Sequence, residues 1–242
     1  MPDARTRVSV HEQLLTAIGD DRGAGAADRI CEACVGLFGV DAAAISLVFG
    51  GTNTGTLGAS SAPARVWAEL QFTLGEGPCL DSVTHRAPVL VIDLADPDDV
   101  RWPAYGPAML AHEIRAVCAL PVVVAGEYVG ALDLFMSSPG KLGVEQLRGA
   151  LVAAELAQMP LLDLMASDLQ AAVTDPDSDA WIELTTLSRA EVSQATGMLV
   201  AQLDITAAAA LVRLRAHAYA TGRGITDVAR DILDFRLRLH SD

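Results

Sequence analysis

The sequence has few features of a membrane or secreted protein. Charged residues, glycine or proline interrupt every apolar run before it reaches the roughly 20 residues that a membrane-spanning helix needs. The first residues, MPDARTRVSVHEQ, lack the apolar core of a secretory signal. We therefore expect a cytoplasmic protein without membrane association.

Cysteine is also scarce, with only Cys31, Cys34, Cys79 and Cys118 in 242 residues. This pattern is unlike the dense disulfide frameworks of small secreted domains. Cys31 and Cys34 have the spacing of metal or redox pairs, but no second cysteine pair or close histidine pair completes a zinc site. Their spacing of three places both thiols on one face of an alanine-rich helix, so we predict buried core cysteines and no metal site.

Motifs of catalysis are missing. The chain contains no G-x-S-x-G, no phosphate-binding P-loop, no G-x-G-x-x-G after a strand and no H-E-x-x-H. Asp93, Asp96, Asp98 and Asp99 form an acidic cluster, but the spacing and distal glutamate of a calcium-binding EF-hand are absent. We predict a solvated loop at this cluster and no enzymatic activity.

The net charge of −14 disfavours non-specific nucleic-acid binding by the whole chain. This charge is unevenly distributed. Residues 1–185 contain 10 Lys and Arg against 25 Asp and Glu, whereas residues 186–242 contain 7 against 6. The acidity therefore belongs to the first part alone, and the second part differs from it in composition.

A polar segment with a helix-breaking proline, Asp175–Ala180, separates two apolar regions. We predict a first domain over residues 10–172, a linker over residues 173–185 and a second domain over residues 186–240. In the first domain, the apolar patterns indicate an α+β fold. We predict helices over 24–38, 62–72, 102–113 and some thirty residues from 142, with a kink or restart at Pro160. We predict strands over 42–49, 88–92, 116–125 and 128–136. A turn at residues 50–53 leads from the first of these to a further strand, and the last two are joined as a hairpin at Gly126-Glu127.

The second domain has helical spacing only. We predict an all-α bundle of three helices, over about Thr186–Leu203, Thr206–Thr221 and Thr226–Leu239. Thr206 and Thr226 are suitable N-caps, and Gly222 is a suitable helix stop.

The first domain resembles the GAF family over about residues 10–164. The matching segments, in order, are LGEGPC (74–79), PVLVID (88–93), RWP (101–103), ALPV (119–122) and GEYVGALDL (126–134). The resemblance implies an antiparallel sheet flanked by helices and a sensor pocket on one face. The residues expected to line that pocket are Glu76, Cys79, Trp102, Tyr105 and Cys118. Trp102 either stacks on a planar ligand or belongs to the core.

The ligand and any cofactor are not identified by the sequence. The net charge of −15 on residues 1–185 repels an approaching phosphate, unless a local arginine such as Arg101 or Arg115 overrides it. We therefore predict an uncharged or cationic small molecule.

The second domain resembles the ANTAR family over about residues 188–239. The matching segments are VSQATGML (192–199), ALVRLRAHA (210–218) and ITDVARDIL (225–233). The resemblance implies binding to paired RNA hairpins in nascent transcripts, which stabilises an antiterminator and lets polymerase read through. This sequence departs from many family members at Thr196, where they carry lysine.

One face of the second predicted helix suits an RNA surface, because its alanines leave room for a backbone beside cations. A solvated helix is the alternative interpretation. The residues predicted to bind RNA are Arg189, Gln194, Thr196, Arg213, Ala216, His217, Ala220 and Arg223. Asp234 is predicted to form i,i+4 pairs with Arg230 and with Arg238, which leaves Arg238 little to contribute.

A heptad-like pattern follows residue 142 and predicts a homodimer. Its members are Leu147, Leu151, Ala154, Gln158, Leu161 and Met165. The same stripe would alternatively pack on the domain's own sheet. The leading hypothesis is a signal-responsive RNA-binding antiterminator; the rival is a dimerising or protein-interaction scaffold without RNA activity.

Overall fold

The computed structural model describes residues 4–49, 52–164 and 190–240. Its N-terminal domain is an α+β fold. In chain order, the elements are α1 (Ala4–Ile18), α2 (Gly23–Phe38), β1 (Ala42–Phe49), β2 (Thr52–Ala59), α3 (Ala62–Leu74), α4 (Pro78–His85), β3 (Val89–Val91), α5 (Tyr105–Ala111), β4 (Ala116–Val124), β5 (Glu127–Met136) and α6 (Val144–Leu156). After a turn at Ala157, residues 158–164 are again helical.

The five strands form one antiparallel sheet in the order β2-β1-β5-β4-β3. The predicted hairpin between β4 and β5 is confirmed, with its turn at Ala125 and Gly126, where φ is 51° and 86°. Positive φ at both central residues matches the twist of the flanking strands, and Gly126 adopts it without a Cβ penalty.

Helices cover both faces of the sheet, which explains the long apolar runs in its central strands. On one face, α1, α2 and α6 pack around a cluster that includes Ile30, Leu120 and Leu132. On the other face, α3 and α5 pack around Phe135 and Val117, and α4 packs beside them against Val48 and Ala131. We call this second side the α3–α5 face.

The helix and strand predictions are confirmed where the apolar pattern is strong, as in α2, which ends at Gly39 with φ of 63°. Two helices were missed. The sequence indicates a loop over residues 74–79 and assigns no element to residues 80–85, but residues 78–85 form α4; α1 likewise lies before the first predicted helix. Helix α5 is shorter than predicted because Glu113 adopts a positive φ of 62°.

Cys31 and Cys34 are buried in the core beneath α2, as predicted. Burial raises the pKa of Cys34 to about 12 and raises the pKa of Cys31 well above its usual value. Both thiols therefore stay protonated and inert at neutral pH.

The C-terminal unit is the predicted all-α bundle, formed by α7 (Ala190–Leu203), α8 (Ala207–Thr221) and α9 (Ile225–Leu233). Thr206 caps α8 by accepting a hydrogen bond from the Ala209 amide at 3.2 Å, and Gly222 ends it with φ of 62°. The N-cap predicted at Thr226 is wrong, because Gly224 occupies that position, and α9 ends six residues earlier than expected.

Among the described residues, no single helix is long and apolar enough to cross a membrane. Helices α7 and α8 pass that length and composition test only as a pair, across a bend of 110°.

The heptad-like stripe after residue 142 packs mostly on its own domain. Ala154 and Leu161 are buried in the cluster beneath α6, and Leu147 is partly buried against it. Leu151 is exposed, and Met165 lies outside the described residues. The apolar side chains that do face outward here are Val144, Leu151, Met159 and Leu162.

Candidate functional site

A buried carboxylate is the most unusual group on the α3–α5 face. Asp133, on β5, is completely inaccessible to solvent. Its Oδ2 accepts hydrogen bonds from Gln71 Nε2 at 2.9 Å and Ser46 Oγ at 3.4 Å. Its Oδ1 has no hydrogen-bond partner among the described residues. Asp133 thus offers an unused polar atom inside the domain.

Burial raises the pKa of the Asp133 carboxyl to about 8, and the hydrogen bonds from Gln71 and Ser46 partly oppose this rise. The carboxyl is therefore mostly protonated at neutral pH. A protonated carboxyl can donate a hydrogen bond, and a cationic ligand would favour its ionised form.

Gln71, near the end of α3, links Asp133 to α4. Its Oε1 accepts a hydrogen bond from the Cys79 amide at 2.7 Å. Gly77, with φ of 140°, makes this possible, because a Cβ there would lie 2.5 Å from Gln71 Oε1. The G-E-G segment of the sequence therefore has a geometric role: it lets the chain pass close over the Gln71 amide.

Two of the five predicted pocket residues, Cys79 and Tyr105, lie near this carboxylate, and two others, Glu76 and Trp102, contact the segment that carries Tyr105. Cys79 and Tyr105 are fully buried, and burial and the Asp133 charge raise the pKa of both. Glu76 Oε1 accepts hydrogen bonds from the Ala104 and Tyr105 amides at 2.7 and 2.8 Å, which fixes the start of α5. Trp102 packs edge-on against Tyr105. The Tyr105 hydroxyl has no partner among the described residues.

Cys118, the fifth predicted residue, is not brought into this group. It belongs to the cluster on the opposite face, under α2 and α6, because Ala119 rather than Cys118 pairs with Asp133 across β4 and β5. Burial, and to a lesser extent the Asp133 charge on the adjacent strand, raises its pKa to about 12.

Sequence reasoning missed Ser46, Gln71 and Asp133 as site residues. The available signal was Asp133 itself, the one charged residue in the apolar run YVGALDLFM. A charge in such a strand is costly unless it is bonded or functional.

The residues around Asp133 offer neither a reactive thiol nor a set of metal ligands. Its thiol is buried and protonated, and within residues 4–49, 52–164 and 190–240 no three His, Cys, Asp or Glu side chains are arranged to hold a metal ion. It has two unpaired polar atoms, Asp133 Oδ1 and Tyr105 Oη, in an apolar enclosure. Either atom could pair with a polar group of a ligand that reached it.

The acidic cluster after β3 is a surface loop, as predicted. Arg115 donates to both Asp93 oxygens at 2.9 and 2.7 Å, and Arg101 holds Asp99 in the same way at 2.8 and 2.6 Å. Both arginines are thereby neutralised by carboxylates.

The predicted RNA-binding residues differ in their exposure to solvent. Gln194, Ala216 and Ala220 are exposed, whereas Arg213 and His217 are half-buried at the edge of that surface. Thr196 Oγ1 donates to the Val192 carbonyl of its own helix at 2.6 Å.

Two of the predicted cations already have partners. Arg213 Nη1 donates to the His240 carbonyl at 2.8 Å, and Arg223 pairs with Asp231 at 2.7 Å. Arg189 lies outside the described residues.

The ion pairs predicted for Asp234 are wrong. Asp234 pairs with Arg236 at 2.7 Å, and Arg230 pairs instead with Glu191 and Asp227. The reason is that α9 ends at Leu233, so that Asp234 and Arg238 no longer lie one helical turn apart. Arg238 is therefore not neutralised by Asp234.

Two aromatic groups near α8 were not anticipated. Tyr219 is 56% exposed on the outer face of α8. Phe72 of α3 is buried against the C-terminal unit, beneath the Arg215 guanidinium, whose Cζ lies 5.4 Å from the ring centroid.

Comparisons with known proteins match both domains. A family model of the GAF domain matches residues 24–159, and one of the ANTAR domain matches residues 184–233. The structure is similar to the GAF domain of a phosphoenolpyruvate-protein phosphotransferase from Acinetobacter, with TM-score 0.54, 10% identity and coverage of 70% of this chain and 99% of that chain. The corresponding domain from Coxiella burnetii gives TM-score 0.52, 13% identity and coverage of 71% and 99%. These likenesses show the fold alone. No curated protein matches the chain.

Proposed function

The chain belongs to the GAF domain family and carries an ANTAR domain after it, and on this basis we propose that it is a signal-responsive regulator that promotes transcription antitermination by binding RNA hairpins. Both families comprise regulatory rather than catalytic domains. The GAF domain is the sensor in this proposal, and the ANTAR domain acts on nascent RNA.

The composition of α8 carries the RNA part of the proposal. This helix contains Arg213, Arg215 and His217 and no acidic residue, in a chain of net charge −14. Two acidic side chains of the same unit are paired with arginines outside α8: Asp231 with Arg223 and Arg236, and Glu191 with Arg230. A polyanion that approaches α8 therefore meets cations without nearby repulsion from its helix.

The outer face of α8 also has the right shape. Its exposed positions Val212, Ala216, Tyr219 and Ala220 lie opposite the buried Leu214. Alanine methyl groups let a sugar-phosphate backbone approach closely, and the Tyr219 ring offers a surface on which an unpaired loop base can stack. This favours hairpin loops over a uniform duplex.

For the sensor part, we propose that the Asp133 site binds an uncharged or cationic small molecule. An anion would disfavour the ionised form of the Asp133 carboxyl and would find no unpaired cation in Arg101 or Arg115, because both are engaged by carboxylates. A neutral or cationic donor would satisfy the unpaired oxygen of Asp133 and the Tyr105 hydroxyl.

Single-round transcription in vitro tests the proposed function. The template carries two hairpins upstream of an intrinsic terminator, drawn from a pool with randomised loops and selected for binding to the full chain. Added protein is expected to raise readthrough, and Tyr219→Ala is expected to reduce the effect. Unchanged readthrough on every selected template, with protein shown to be folded, would refute the proposal.

The exposed stripe on α6 and the following helix favours a second role, self-association. Val144 and Leu151 are exposed seven residues apart on α6, and Leu162 is exposed on the helical segment after the turn at Ala157. We propose that these exposed residues, of which only Leu151 is a heptad position predicted from the sequence, form a homodimer contact. A scaffold that dimerises without RNA activity is the alternative function, and the readthrough assay separates the two.

A further inference from the structure

The two domains touch through Phe72 of α3 and Arg215 of α8. We propose that this contact restrains the RNA-binding domain, and that its release by a signal in the GAF domain frees Arg215 for RNA. The inference rests on the proposed function and adds the route by which the sensor controls it.

The Phe72 side chain packs in the core of the C-terminal unit, although its helix α3 is part of the sensor domain. It is 5% exposed and shares a cluster with Leu199, Leu214 and Ile225 rather than with the two sheet-face clusters. Without the C-terminal unit, this side chain would be an exposed phenyl ring on α3. The contact is therefore a specific docking of one domain on the other.

The Arg215 guanidinium lies in a space shaped by the sensor. Its Cζ is 5.4 Å from the Phe72 ring centroid, which is within range of a cation–π contact. At Gly75, with φ of 75°, a Cβ would lie 2.8 Å from Arg215 Nη1. Glycine at the end of α3 thus leaves room for the guanidinium, which any larger residue would displace.

Within the parts of the chain that the structure describes, Arg215 lacks hydrogen-bond partners for part of its guanidinium in the docked arrangement. Its Nε has no hydrogen-bond partner among the described residues, and burial lowers its pKa. Arg223, Arg230 and Arg236 of the same unit all pair with carboxylates. A phosphate would satisfy the planar guanidinium better than the face of a phenyl ring does, so that RNA and the sensor compete for this side chain.

Arg215 is well placed to serve RNA once it is released. It lies three residues after Val212 and four residues before Tyr219, so that it flanks the exposed face of α8. Docking holds it against Phe72 and covers that flank with α3. Release adds one cation to the face that already presents Tyr219.

The Asp133 site and the Phe72 contact involve adjacent residues of α3. Gln71, whose amide holds Asp133 and the Cys79 amide, directly precedes Phe72. A ligand that engages Asp133 changes the hydrogen bonding of Gln71, and a shift of this last turn of α3 moves Phe72 with it. Adjacent residues therefore connect the buried carboxyl to the docked arginine.

The test measures affinity of the full chain for RNA from the selected two-hairpin pool, by fluorescence anisotropy. Phe72→Ala is expected to raise affinity about 5-fold or more, the lower end of typical coupling between sites. Arg215→Lys keeps the charge but loses the planar stacking on Phe72. It is therefore also expected to raise the affinity for RNA, and it leaves the sensor domain unaltered. The double variant Phe72→Ala/Arg215→Ala is expected to lose the gain.

Leu70→Ala is the matched control, because Leu70 lies on the same helix but packs in the sensor's own cluster. It is expected to leave affinity unchanged. If Phe72→Ala and Arg215→Lys are folded by circular dichroism and bind as the wild type or more weakly, the restraint is refuted while the proposed function stands. If no form, wild type included, binds any hairpin RNA, the proposed function itself fails and the restraint with it.

Discussion

Asp133→Asn tests the buried carboxyl at the sensor site. Asparagine keeps the shape and an oxygen that can accept from Gln71 Nε2, but it cannot ionise. Folding raises the pKa of Asp133 to about 8, whereas an unfolded aspartate titrates near its ordinary value of about 4. The carboxyl therefore contributes stability that is fully present below about pH 4 and is lost as the pH rises toward 8.

The size of the stability difference follows from the pH range between the unfolded and the folded pKa of Asp133. Each pH unit inside it costs about 1.4 kcal/mol, so that between pH 5 and pH 7.5 the wild type loses roughly 3 kcal/mol that Asp133→Asn retains. Cys79 and Tyr105 do not contribute to this difference, because burial raises the pKa of both above their ordinary values.

Urea unfolding, followed by tryptophan fluorescence at pH 5, 6, 7 and 8, measures the effect. The free energy of unfolding of the wild type should fall relative to that of Asp133→Asn at each step. Parallel pH profiles of the two proteins would refute the reasoning, since they would show that Asp133 has the same pKa in the folded and unfolded chain.

Three further predictions follow from particular contacts. Thr206→Ala removes the N-cap of α8 and should lower the stability of the C-terminal unit by about 1 kcal/mol, measured by thermal unfolding, whereas the exposed Thr221→Ala serves as a control. Leu151→Glu on the outward stripe of α6 should shift a dimer to a monomer in light scattering at micromolar concentration; a monomeric wild type would contradict the dimer. In thermal-shift screening, neutral or cationic compounds should stabilise the wild type more than Asp133→Asn, and selective stabilisation by nucleotides would contradict the charge argument.

The sequence predicted the parts of the fold that local patterns control. Periodicity located α2 and β1, and the αL glycines marked the ends of α2 and α8. Helix α4 was missed because Gly77 and Pro78 indicate a turn, although proline is equally suited to the first position of a helix.

The site was predicted less completely, because its partners are distant in sequence. Cys118 was placed in the pocket, but the β4–β5 register turns it to the other face and puts Ala119 beside Asp133. A shift of one residue reverses the face, and no local pattern fixes the register to that precision. The docking of Phe72 on Arg215 joins residues 143 positions apart, and composition contains no signal for it.

The most direct test of the central claim is an equilibrium titration of the full chain with hairpin RNA at several salt concentrations. The account predicts binding that is tighter for hairpins than for an unstructured RNA of equal composition and that weakens as salt increases. Arg213→Ala should weaken binding to all hairpins similarly and reduce the salt slope by about 0.9, the value for one phosphate contact. Binding that is absent, or that is equal for structured and unstructured RNA and unaffected by Arg213→Ala, would contradict the assignment of α8 as an RNA surface.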